Sequence, residues 1–162
     1  MTRETTVDER TPVAAPSRPR WWQATAWVLT LTGLGISVYL TVTHYEESAL
    51  LCSASSSVDC RAVTTSEYAE LLGIPMPLLG LAFFIGMAVL ITPWALRSTW
   101  PPLRWGRLAA TAVGVLMVVY LVAVEVAILH KICLWCTGVH VVTILLFILV
   151  LFDDIRRIGL DD

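Results

Sequence analysis

An all-α membrane protein, built as a bundle of four transmembrane helices, follows from three properties of this 162-residue chain. The first is bulk apolarity: 57% of the residues are hydrophobic and the mean hydropathy is +0.74, above what a soluble domain of this size carries. The second is a set of four apolar runs, each near the roughly 20 residues that cross a bilayer core. The third is the placement of basic residues, nine of which fall in segments alternating with others that hold only two.

Taken in order, residues 1–20 are rich in Thr, Pro, Arg and Ala without apolar periodicity and are expected to form a disordered cytoplasmic tail. Span one covers residues 21–45; it is too long, and lacks the small-x-small exit, for a cleaved signal peptide. Residues 46–75 form the first extracytoplasmic loop, long enough to carry function. Within it Thr64-Thr65-Ser66-Glu67 has the capping-box pattern, and Tyr68, Leu71 and Leu72 recur at helical spacing before Gly73. A short amphipathic helix is therefore expected to lie on the membrane surface as a lid over the span ends. Spans two, three and four cover residues 76–96, 107–130 and 133–152, closing a membrane domain of residues 21–152. Residues 153–162 read as a second cytoplasmic tail.

Arg3, Arg10, Arg18 and Arg20 precede span one, Arg97, Arg104 and Arg107 lie between spans two and three, and Arg156 and Arg157 follow span four. Only Arg61 and Lys131 fall on the opposite side. The expectation is a multi-pass protein of the inner, cytoplasmic membrane with both termini in the cytoplasm and the cysteines facing outside, where dithiols meet an oxidising compartment. Because the arginines flank spans at separate places rather than forming one patch, no nucleic-acid partner is expected.

Chemistry concentrates in two cysteine pairs. Cys52 and Cys60 bracket a small, polar stretch able to close a disulfide, as a structural staple or as an exchanging pair. Cys133 and Cys136, spaced i,i+3, share one face of the first turn of span four, where the helix dipole and free N–H groups favour thiolate. Two other readings stand beside reactivity: a zinc site, which lacks a second C-x-x-C, and inert buried thiols. No metal is expected. His140 follows on the same face, and a titratable group in hydrocarbon points either to a polar ligand head or to an interhelical hydrogen bond. Glu125 in span three is a proton relay, a partner for His130 or Lys131, or a hydrated interfacial group.

With these residues in view, the chain resembles the vitamin K epoxide reductase family of four-helix membrane thiol oxidoreductases, and within it the bacterial disulfide-generating members. The resemblance runs over about residues 25–152. It rests on Ile36-Ser37-Val38-Tyr39-Leu40-Thr41, on Cys52 and Cys60, on Ser66 six residues later, on Gly73-Ile74-Pro75 with Gly80, on Tyr120-Leu121, and on Cys133-x-x-Cys136. The resemblance implies a bundle surrounding a membrane quinone, menaquinone or ubiquinone, with Cys133 and Cys136 as the active-site pair. Cys52 would then meet a thioredoxin-like partner, Cys60 would exchange with Cys133, and Cys136 would face the quinone. Ser66, Met76 and His140 are the expected quinone-binding residues; Met76 and His140 stand where vertebrate members carry Asn and Tyr. No fused thioredoxin-like domain follows span four, so the implied partner is a separate extracytoplasmic, DsbA-like protein. A vitamin K epoxide or quinone reductase, and a non-catalytic scaffold stapled by two disulfides, are the alternative functions.

Overall fold

The structure, a computed structural model, describes residues 18–52, 57–98 and 100–161. Most of the expected N-terminal tail, residues 1–17, and the serine-rich stretch 53–56 between two of the cysteines lie outside the described residues.

Helix α1, Arg20–Tyr45, starts directly after Pro19, whose carbonyl accepts the first free N–H groups from Trp22 at 3.0 Å and Gln23 at 3.4 Å. Its buried residues, Trp22, Ala26, Thr30, Gly33, Ser37 and Leu40, recur every three or four positions and make one stripe that packs against α3 (Met76–Leu90) and α6 (Leu134–Asp161). Close approach is built into that stripe. A Cβ on Gly33 would fall on the ring of Phe84, itself fully buried on α3.

Among the described residues, three helical stretches are long and apolar enough to cross a membrane: Arg20–Tyr45, Pro102–Leu129 and Leu134–Arg156. Span two departs from expectation. Instead of one helix over 76–96, the chain makes α3, turns at Ile91 and Thr92, and resumes as α4, Pro93–Arg97. Pro93 has no N–H to continue the ladder and disfavours helical geometry at Thr92. Thr92 instead caps α4, its Oγ1 accepting from Ala95 N at 3.3 Å. At 15 residues, α3 is shorter than the three spanning stretches.

Helix α5, Pro101–Ala123, begins on a Pro-Pro pair suited to a helix start and passes into a π-turn, Val124–Leu129. His130 ends that turn in the left-handed region at φ 50°, and both its N–H and that of Lys131 donate to the Glu125 carbonyl. Residues 153–161, read from sequence as a tail, continue α6 instead, since Asp153 and Asp154 face arginines on other elements.

The loop helix also needs correcting. A short α2, Cys60–Thr64, forms earlier than expected, with Asp59 Oδ1 capping Ala62 N at 3.1 Å. Beyond it come one 3-10 turn, Glu67–Ala69, and a hairpin pairing β1, Glu70–Leu71, with β2, Ile74–Pro75. Thr64 does not cap the expected helix: it ends α2, and its hydroxyl donates back to Cys60 O at 2.9 Å, while Ser66 donates to Val63 O at 2.8 Å. Leu72 and Gly73, both at positive φ, make the two-residue turn that hairpins favour.

The hydrophobic core gathers in the half of the bundle nearer the described chain ends, around Trp22, Ala26, Phe84, Met87, Leu146 and Val150. Arginines tie that end together. Arg18 pairs with Asp153 at 2.8 Å and donates to Leu96 O at 2.9 Å; Arg104 pairs with Asp154; Arg107 donates to Leu90 O at 3.3 Å. Leu90 and Leu96 lie in the last turns of α3 and α4, so Arg107 and Arg18 supply donors to carbonyls that the broken helix leaves without intrahelical partners.

Candidate functional site

At the opposite end from the arginine clasp, both cysteine pairs are bonded, Cys52 to Cys60 and Cys133 to Cys136, with Cα atoms 6.0 and 5.2 Å apart. Their environments differ. Cys60 is 1% exposed and Cys133 0%, whereas Cys52 and Cys136 are half-buried. Each disulfide thus has one sealed sulfur and one more open one.

The sealed sulfurs are brought into register by the backbone. Val58 and Ile132 form a parallel bridge, with Asp59 N donating to Ile132 O at 3.2 Å and Ile132 N donating to Ser57 O at 3.0 Å. Cys60 and Cys133 therefore follow the bridge on neighbouring segments. At the head of α6, Cys136 N donates to Cys133 Sγ at 3.2 Å, which favours negative charge on that sulfur when the pair is open.

Cys136 opens onto a cavity of about 660 Å³, mouth included, roofed by the loop through Thr64, Ser66 and Tyr68 and walled by α1, α3, the π-turn and α6. The wall is predominantly apolar, with Leu40, Met76, Leu121 and Val139 among its residues. Four of the sequence-predicted residues, Cys136, His140, Ser66 and Met76, meet on this one cavity. Cys133 and Cys60 lie behind it, and Cys52 lies at the outer end of the loop disulfide.

His140 is 5% exposed, and among the described residues no group hydrogen-bonds its ring, so the interhelical bond weighed from sequence is not made. Its side chain lines this predominantly apolar cavity, a kind of site suited to a flat ligand with few polar points. Ser66 contributes less as a donor, since its proton is engaged by Val63 O, and the Met76 thioether supplies apolar wall. Glu125 reaches the same cavity from the π-turn, and its Oε2 accepts from Cys133 N at 3.4 Å. This bond, rather than pairing with His130 or Lys131, is what the carboxylate makes at the site.

A clasp that sequence reasoning missed fixes the outer cysteine. Trp135, inside the C-x-x-C, donates through Nε1 to Leu51 O at 2.9 Å. Tyr39 accepts from Leu51 N at 2.7 Å and donates to Ala49 O at 3.2 Å, with its ring 4.6 Å from that of Trp135. The available signal was the pair of amphipathic aromatics near the cysteine end of two apolar runs. Compared with known families, residues 24–151 match the family model described as the vitamin K epoxide reductase family.

Proposed function

The chain belongs to the vitamin K epoxide reductase family of membrane oxidoreductases, and from that premise we propose that it reoxidises a thioredoxin-like protein and passes the electrons to a membrane quinone. In this reading α3 with α4 completes a fourth crossing, both termini are cytoplasmic, and the cysteine end faces outside. The observation that carries the reading is the arrangement of the four sulfurs: two sealed, on segments held in register, one half-buried in the loop, and one opening onto an apolar cavity beside His140.

The electron path follows from exposure. A thiolate of the partner attacks Cys52 Sγ, Cys60 leaves as thiolate, and the partner's second thiol resolves the mixed disulfide, leaving the loop pair reduced. Cys60 then attacks Cys133 Sγ and releases Cys136; Cys52 resolves that bridge and restores the loop disulfide. Cys133 and Cys136 now hold the electron pair next to the cavity. A quinone bound there supplies the two-electron sink that a thiol buffer could not, because partners poised near about −120 to −180 mV need a more oxidising acceptor. The imidazole of His140 in the cavity wall would hydrogen-bond a carbonyl head, and the apolar wall would exclude water from the reacting sulfur.

The test is anaerobic turnover by purified protein of reduced DsbA, with a menaquinone or a ubiquinone analogue as acceptor. Stoichiometric loss of partner thiols with appearance of hydroquinone supports the reading. Formation of neither product sinks it.

A further inference from the structure

The loop carrying Cys52 is displayed, not merely exposed. Both backbone polar groups of Leu51 are held by side chains of other elements, its N–H by Tyr39 of α1 and its carbonyl by Trp135 of α6. Those two aromatic rings touch each other, so the pins act as one support. Despite this fixation the Leu51 side chain is 75% exposed, immediately before the sulfur an incoming thiolate must reach. An apolar side chain held outward by such a support, beside a reactive disulfide, calls for an explanation that packing within the chain does not give.

We infer that Leu51 is a recognition residue for the protein thiol donor, filling an apolar socket beside the reactive cysteine of a thioredoxin-like partner. The inference rests on the relay proposed above, in which Cys52 is the entry sulfur. Geometry then leaves little freedom. In a mixed disulfide the two bonded residues have Cα atoms about 4.4–6.8 Å apart, and the Cα of Leu51 lies about 3.8 Å from that of Cys52. The partner's surface around its cysteine must therefore come against the Leu51 side chain. Strand addition through Leu51 is not available, because its N–H and carbonyl already have partners, so the side chain is what the partner reads.

The competing occupant is the lipid surface. The flanks argue against it: Glu46 upstream and Ser57 downstream are both exposed polar residues, which places the arm among hydrated groups. A lipid seat would also have no reason to adjoin Cys52.

The experiment compares two electron donors, reduced DsbA and dithiothreitol, on the wild-type protein, Leu51→Ser and Leu51→Met in the same membranes. Leu51→Ser is expected to raise the KM for DsbA about 10-fold, the scale set by losing the burial of an isobutyl group, while leaving the dithiothreitol kinetics unchanged. Leu51→Met, similar in volume and apolarity, should return the DsbA KM to within about 2-fold of wild type. An unchanged DsbA KM in Leu51→Ser overturns the inference. So does parallel slowing with both donors, which would assign Leu51 to the lipid surface or to loop packing. A wild-type protein that oxidises dithiothreitol but not DsbA overturns the partner reading itself, and with it the role given to Leu51.

Discussion

Val58 and Ile132 are joined backbone to backbone, and this single bridge holds the segment entering Cys60 beside the segment entering Cys133. The two sealed sulfurs belong to different disulfides, yet the chain keeps their approaches in register without relying on either bond. In the relay proposed above, this alignment is what would bring Cys60 and Cys133 to exchange.

The order of the relay is testable by trapping. In Cys136→Ala, Cys133 carries a free thiol that can attack Cys60 Sγ of the oxidised loop pair and release Cys52 as thiolate, and with no Cys136 to resolve it a Cys60 to Cys133 bridge is expected to accumulate. In Cys52→Ala reaction with the protein partner should be abolished. Mass spectrometry of nonreduced digests decides, and a dominant Cys52 to Cys133 bridge in Cys136→Ala would contradict the order.

His140→Leu is expected to raise the quinone KM, or to lower kcat, by about 10-fold or more, as when one hydrogen bond to a ligand is lost. Exchange between the cysteine pairs should proceed as in wild type, since His140 touches neither sealed sulfur's backbone bridge. Stopped-flow mixing with a quinone analogue, alongside thiol trapping in its absence, separates the two effects. Unchanged quinone kinetics would remove His140 from the site.

Packing predicts a cost at Gly33. An alanine there drives its Cβ into the fully buried Phe84 ring, and destabilisation by about 1–3 kcal/mol is expected. Thermal unfolding in detergent should show a lowered midpoint for Gly33→Ala, and the loss should shrink in the double variant Gly33→Ala with Phe84→Leu.

Orientation can be read with an impermeant thiol reagent. After reduction of intact cells, Cys52 should be labelled from outside, in keeping with the nine-to-two asymmetry of basic residues. Labelling only after lysis would reverse the proposed topology.

Hydropathy made spans one, three and four legible, because membrane-crossing helices announce themselves by length and apolarity. Span two was harder: apolarity continues through Ile91, and the break lies in the Thr92-Pro93 pair, a cap followed by a helix-starting proline inside an apolar run. The loop hairpin was hidden for a different reason. Its turn uses Leu72 rather than the Asn or Gly usual at a positive-φ turn position, while the Thr-Ser-Glu pattern upstream spoke for a helix. At the site, spacing placed Cys133, Cys136 and His140 on one face, and the cavity has Cys136 and His140 in its wall. The Glu125 bond to Cys133 N could not be foreseen from a 3.6-residue period, since a π-turn rotates the residues that follow it.

Arg18 and Arg107 lead double lives. In the proposed orientation, while the helices are still separate, their charge is part of the signal that keeps one side of each hairpin from being translocated. Once the bundle assembles, the same guanidinium groups become hydrogen-bond donors to the carbonyl ends of α3 and α4, groups that do not exist as a site until several helices have met. In that reading, biogenesis would use one pair of side chains first as an address and later as a lock. Charge-reversal experiments at these positions would disturb both at once, whereas Arg20 and Arg97, which make no such carbonyl bond, offer a way to alter the address and leave the lock in place.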